Sequence, residues 1–127
     1  MGQPIPRRTM LMKYLLMICE DRTLPERSPS EEASLMAEYA AFTQEIAASG
    51  ELVGGEQLER PGTATSVRVR GGEPLVTDGP FAETAEQIGG YYVVDVADLD
   101  RALELAARVP SARTGVVEVR PVVDVRR

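Results

Sequence analysis

Residues 11–19, Leu11-Met12-Lys13-Tyr14-Leu15-Leu16-Met17-Ile18-Cys19, form a run that is apolar almost without interruption. In an extended chain, successive side chains leave opposite faces. Tyr14, Leu16 and Ile18 therefore point one way, and Leu15, Met17 and Cys19 the other. Both sets avoid water, which predicts a central strand covered on each side. The remainder of the chain has to provide the two covers.

Downstream of a charged loop over residues 20–27, Ser28-Pro29-Ser30-Glu31 reads as a capping-box helix start, with Pro at the first helical position. Leu35, Tyr39, Phe42 and Ile46 recur at helical spacing, with Met36, Ala40, Thr43 and Ala47 beside them. Glu31, Glu32, Glu38 and Glu45 fall largely outside that stripe. Gly50 suits a left-handed C-cap, so the helix is expected over about 29–49. Residues 52–58 can form a strand, in which Gly54 and Gly55 suggest a bulge or a close backbone approach. Residues 64–70 alternate, with Val67 and Val69 on one face and Ser66, Arg68 and Arg70 on the other. Gly71-Gly72 then predicts a hairpin returning to Thr77. Residues 78–90 read as a loop and 91–96 as a strand that puts Tyr92 in phase with Val94 and Val96. Asp98 caps a second helix whose Leu99, Ala102, Leu103, Ala106 and Val109 are expected to face the core, with Glu104 and Arg108 paired outside. Residues 116–123 close the fold, with Glu118 and Arg120 on one face.

This order predicts a ferredoxin-like α+β sandwich, an antiparallel sheet with two helices on one face, as a single domain over residues 11–125 preceded by an extension over 1–10. The helices cover one face of the central strand. A second copy of the chain is the simplest cover for the other, giving a homodimer of the dimeric α+β barrel type with sheets packed face to face. Arg68, Arg70, Glu118 and Arg120 are expected around that interface.

Composition narrows the function classes. At 127 residues, with 43% apolar and 27% charged side chains, the chain has the size and balance of one globular core. A formal net charge of −6 argues against a nucleic-acid ligand. The single cysteine excludes an intrachain disulfide, and Cys19 reads as a small buried hydrophobe. Arg7 and Arg8 precede an apolar stretch that soon ends in charges without a small-residue cleavage site. No run of about 20 apolar residues is present, so a cytoplasmic protein without a membrane anchor is expected. The chain has no histidine, which rules out a Ser-His-Asp triad and a His-activated cysteine. One cysteine cannot build a structural zinc site either.

The densest unusual segment is Thr77-Asp78-Gly79-Pro80-Phe81-Ala82-Glu83-Thr84-Ala85-Glu86-Gln87-Ile88-Gly89-Gly90-Tyr91-Tyr92. It resembles the DGPF family within the YCII-related superfamily, whose signature is close to DGPFAETKEQLGGYY, with Ala85 where that family usually has Lys. The likeness extends to Met12-Lys13-Tyr14-Leu15-Leu16, Leu52-Val53-Gly54-Gly55-Glu56 and Val117-Glu118-Val119-Arg120-Pro121, covering about residues 12–123. The resemblance implies a ferredoxin-like dimer, a cleft near the signature loop, and an association with sigma factors of the extracytoplasmic-function class. It also implies, for the wider superfamily, enzyme activity through a His and Asp pair. Asp78 matches the signature Asp, and the His has no counterpart here.

Asp78 has two readings. Beside Phe81 and near Tyr91 or Tyr92, a desolvated carboxylate would serve as acid or base. Alternatively, Asp-Gly-Pro is turn chemistry, with the side chain bonding backbone N–H groups. Arg68, Phe81, Glu83, Thr84 and Tyr91 are the candidate ligand contacts, Arg68 for an anionic group. Against this, strand arginines such as Arg68 and Arg70 also meet carboxylates such as Asp95 or Glu118. Glu20 and Asp21 with Asp78 offer oxygen ligands, but a solvated loop is the ordinary reading, so no metal and no cofactor is expected. Two functions stand: a small-molecule cleft with Asp78 as acid or base, and a non-catalytic regulatory partner linked to a sigma factor.

Overall fold

The computed structural model describes residues 12–82 and 84–124. Strand β1 (Met12–Asp21) lies inside the main sheet, between β5 (Glu86–Val96) and β6 (Val116–Pro121) and antiparallel to both. Strand β2 (Leu52–Gln57) adds antiparallel to the far side of β5, giving the order β2-β5-β1-β6. From the β6 edge these are the last, first, third and second of the four sheet strands in chain order, which is the ferredoxin-like arrangement. Helix α1 (Pro29–Ala48) links β1 to β2, and α2 (Leu99–Arg108) links β5 to β6. Strands β3 (Thr65–Arg70) and β4 (Glu73–Asp78) are inserted between β2 and β5 as a separate two-stranded sheet.

Both helices cover one sheet face. Tyr14, Leu16 and Ile18 of β1 and Tyr92, Val94 and Val96 of β5 meet Phe42 and Ile46 of α1 and Ala102, Leu105 and Ala106 of α2. Phe42 and Tyr92 pack edge to face, with ring centroids 5.4 Å apart. Helix α1 starts as the sequence indicates. The Ser28 hydroxyl accepts from the Glu31 N–H at 3.2 Å, and the Glu31 carboxylate accepts from the Ser28 N–H at 2.8 Å. Gly50, at φ +81°, ends the helix in the left-handed region that glycine adopts without cost.

The second helix differs from expectation. Leu105, not Leu103, is buried beside Ala102 and Ala106, and Leu99 and Leu103 are about half exposed. The buried face follows Ala102, Leu105, Ala106 and Val109, a regular helical stripe. Nor does Arg108 pair with Glu104. It reaches Glu45 of α1 and lies over the Phe42 ring, and Glu104 bonds Arg101. The Arg101 guanidinium also grips buried Glu51 through two bonds of 2.8 and 2.9 Å, tying α2 to the start of β2.

Strand β5 begins at Glu86, five residues earlier than Tyr91. A register shift sets Ile18 opposite Gly90 and Cys19 opposite Ile88, leaving Gly89 as the extra residue of a bulge. The sheet face away from the helices carries Leu15, Met17, Cys19, Tyr91 and Val93, all half-buried. Burial raises the Cys19 thiol above its ordinary pKa, with Glu118 and Glu86 adding to the effect.

Gly71 and Gly72, both at positive φ, turn the β3–β4 hairpin as expected. Because this hairpin forms its own sheet, Arg68 and Arg70 do not reach Asp95 or Glu118. Neither arginine has an ion pair among the described residues, and Glu118 pairs with Arg120. No helix among the described residues is long and apolar enough to cross a membrane. The extension expected over 1–10 lies outside the described residues.

Candidate functional site

The bulge in β5 opens a cleft of about 350 Å³ between α1 and the adjoining ends of β1, β2 and β5. Its makeup follows from three local patterns. Alternation along β1 continues the buried series Tyr14, Leu16, Ile18 to Glu20, so a carboxylate arrives on the helix side of the sheet. Helical spacing on α1 brings Leu35, Tyr39 and Thr43 to one wall, with Met36 and Ala40 beside them. Gly55, Gly89 and Gly90 make the floor.

Two of the floor glycines are required by close approach. A Cβ on Gly55 would come within 2.5 Å of the Tyr91 carbonyl oxygen, and one on Gly90 within 2.9 Å of the Glu56 carbonyl oxygen. A side chain at Gly89 would collide with the Glu20 carboxylate, which lies directly over that bare backbone.

Glu20 is held from outside the cleft. Its Oε1 accepts from Arg22 Nη2 at 3.1 Å. Arg27 Nη1 stands 3.9 Å from Oε2 and 3.6 Å from the Glu32 carboxylate. The Glu20 side chain keeps 25% of its surface exposed, so the carboxylate remains reachable. Across the cleft, the Tyr39 hydroxyl donates to Ser111 Oγ at 2.7 Å, and Thr43 Oγ1 and the Tyr92 hydroxyl share a bond of 2.7 Å. Burial raises the Tyr39 pKa above the usual phenol value. The Ser111 bonds oppose this, and nearby Tyr92 and Glu20 reinforce it. Tyr39 therefore stays a neutral phenol at physiological pH. Glu20 and Glu32 are lining residues, and the described lining includes no lysine or arginine.

The signature segment is built around this site. Gln87 Nε2 donates to the carbonyls of Ala82 at 3.1 Å and Thr84 at 3.0 Å, and to Thr84 Oγ1 at 3.2 Å. The Ala85 carbonyl accepts from the Arg22 N–H at 2.6 Å, so the loop anchors the arginine that holds Glu20. Upstream, Gly79 at φ +94° donates its N–H to the Ala64 carbonyl, closing the base of the hairpin.

Of the site residues anticipated from sequence, Tyr91 lines the cleft, where β5 passes beneath it. Its alternation with buried Tyr92 sends its ring to the opposite sheet face. Asp78 ends β4, opposite Thr65 and exposed, and Arg68 is exposed on β3. Phe81 is 82% exposed. The Thr84 hydroxyl donates to the Glu86 carbonyl at 2.6 Å. None of these four is a lining residue of the cleft, and Glu83 lies outside the described residues. Glu20, Asp21 and Asp78 do not come together as a metal-ligand group among the described residues. Sequence reasoning weighed Glu20 only as an oxygen ligand for a metal and passed over Tyr39, Thr43 and Gly89 as site residues. The available signal was an acidic residue in phase with Tyr14, Leu16 and Ile18, which a core-facing register does not accept without a purpose.

The arrangement offers a carboxylate and two hydroxyl pairs above an apolar wall, the composition of a small-molecule site. The chain is 35% identical over 113 residues to an uncharacterized protein of Rhizobium meliloti (strain 1021), covering 87% of this chain and 91% of the relative. Residues 12–126 match the YCII-related domain. A match spanning almost all of the chain, on a sheet and helix arrangement of this kind, makes the protein a member of the YCII-related domain family.

Proposed function

We propose that this YCII-family protein, of the DGPF type, is a cytoplasmic small-molecule domain whose ligand enters the cleft between α1 and the sheet, with Glu20 taking or giving a proton. The observation that carries the reading is the placement of Glu20. Its carboxylate lies over the bare backbone of Gly89, is oriented by Arg22 and shares the cleft with the half-buried phenol of Tyr39. A carboxylate and a neutral hydroxyl on facing walls are the minimum equipment for general acid–base work without histidine. The lining favours an uncharged or cationic ligand, since an anion would meet Glu20 and Glu32. Asp78 and Arg68, candidates for acid–base and anion contact on sequence grounds, project on the hairpin and would act on a ligand only across a protomer boundary.

The reading includes a homodimer joined through the open sheet face. The apolar centre of that face, Leu15, Met17 and Val93, is only half-buried in one chain, and a second sheet stacked on it is the economical cover. The exposed hairpin favours a second reading, a binding partner for a regulatory protein such as the sigma factors that the family resemblance implies.

A metabolite library screened by thermal shift against the wild type and Glu20→Gln tests the site. Hits are expected to stabilise the wild type, to lose most of that effect in the variant, and to shift the amide signals of Leu35, Tyr39 and Gly89. Hits that bind Glu20→Gln unchanged, or that perturb only the hairpin, would move the function elsewhere.

A further inference from the structure

Tyr39, Thr43 and Tyr92 bring hydroxyl groups to the cleft between α1 and the sheet. Each hydroxyl has one hydrogen to donate and two lone pairs to accept. The Tyr39 hydrogen is committed to Ser111 Oγ at 2.7 Å. Thr43 Oγ1 and the Tyr92 hydroxyl oxygen stand 2.7 Å apart, so one hydrogen lies between them. The second hydrogen of that pair has no acceptor among the described residues. A threonine inside a helix often turns its hydroxyl back to the carbonyl one turn earlier, and Thr43 makes no such bond. The pair is also held in place, because Tyr92 is 8% exposed and its ring packs edge to face with Phe42.

We propose that this spare hydrogen receives a carbonyl oxygen, and that the ligand of the cleft is a small uncharged carbonyl compound. The proposal rests on the cleft reading above and names the class of molecule that reading leaves open. A free O–H calls for an acceptor. Glu20 and Glu32 line the same space without a lysine or arginine beside them, so carboxylate and phosphate groups are repelled. A carbonyl oxygen is the strong acceptor that carries no charge. The Glu20 carboxylate accepts and does not donate, so the same molecule presents an O–H or N–H towards β1. Ile18, Leu35, Met36 and Ala40 take up its apolar body. Beside such a wall a hydrogen bond is stronger than in water, and a donor buried without a partner is costly, so an analogue without the carbonyl is rejected.

Benzamide, benzoate and benzylamine test this on the full chain at neutral pH. They keep one ring and change its polar end, from a carbonyl with N–H to an anion to a cation without a carbonyl. Benzamide is expected to shift the amide signals of Leu35, Tyr39 and Gly89, and benzoate to bind about tenfold more weakly. The double variant Thr43→Val, Tyr92→Phe removes both hydroxyls at nearly constant shape. It is expected to weaken benzamide about tenfold and to leave benzylamine unchanged. The infrared carbonyl stretch of bound ¹³C-labelled benzamide is expected at lower frequency in the wild type than in the double variant, a mark of the hydrogen bond that altered packing does not reproduce. Each single variant keeps one hydroxyl hydrogen, so its affinity and frequency are expected between those limits. Affinity and frequency that stay unchanged in the double variant, or in both single variants should the double variant fail to fold, overturn carbonyl recognition and leave the Glu20 cleft standing. Cleft binding by benzylamine without benzamide has the same meaning. If none of the three probes moves the cleft signals, both readings fall.

Discussion

Val94 and Val67 occupy equivalent positions in equivalent patterns, yet Val94 is fully buried and Val67 is 62% exposed. Each lies on an antiparallel strand whose apolar residues alternate with polar or half-buried ones, and each faces a cross-strand apolar neighbour, Tyr14 for Val94 and Val76 for Val67. The difference is in what lies above them. Two helices cover β5, and no described residue covers the valine face of the β3–β4 hairpin. Alternation records the burial a strand requires in its working state, which need not be the state of one chain.

The largest test of this contrast truncates one apolar residue in each region. Leu16→Ala, inside the helix-covered core, is expected to cost about 3 kcal/mol in urea unfolding. Val67→Ala, measured at concentrations too low for association, is expected to stay within about 0.5 kcal/mol. Equal costs would place the β3–β4 hairpin in the protomer's own core. Next come the neighbouring glycines of β2. Gly55→Ala pushes a methyl against the Tyr91 carbonyl and is expected to cost about 2 kcal/mol, whereas Gly54→Ala meets nothing within 4 Å and is expected to be near neutral.

Smaller effects separate the regions in other ways. Gly72→Ala forces a side chain into the left-handed region at φ +80° and is expected to destabilise the β3–β4 hairpin by about 1 kcal/mol. Amide exchange should then accelerate over residues 65–78 while exchange in β1 and β5 holds, the behaviour of a separate opening unit. Last is a pH effect confined to the body. The folded-state pKa of Tyr39 is raised, so the folded form holds its phenol proton more tightly than the unfolded form does. Its contribution to stability is present in full below the ordinary tyrosine range near 10, and is lost as pH rises through the higher folded value. Unfolding midpoints of Tyr39→Phe and the wild type, followed upward from pH 9, should therefore diverge at the alkaline end.

Most of the architecture was legible because it depends on short-range patterns. The Ser28–Glu31 box, the Gly50 cap, the Gly71-Gly72 turn and the Leu35-Tyr39-Phe42-Ile46 stripe each specify their own local geometry. In α2 the pattern was ambiguous, because Leu99, Leu103 and Leu105 cannot share one face and only packing on the sheet selects Leu105. The start of β5 was hidden, because Glu86, Gln87, Gly89 and Gly90 have weak strand preference and are extended by pairing with β1. The site was less legible still. The signature drew attention to Asp78, Phe81 and Thr84 as well as Tyr91, whereas it lines the cleft through Gly89, Gly90, Tyr91 and Tyr92 and braces it through Gln87 and the Ala85 carbonyl. Residues 20, 39 and 89 meet only after the sheet and helix have assembled.

The two outer strands of the main sheet show how association is limited. Strand β2 is interrupted by a register shift between Leu52 and Gly54, and β6 ends in Pro121 after the charged pair of Glu118 and Arg120. A bulged strand and one ending in a residue without an N–H are poor templates for a further strand. Lateral growth of the main sheet into a continuous ribbon is therefore disfavoured at both of its borders.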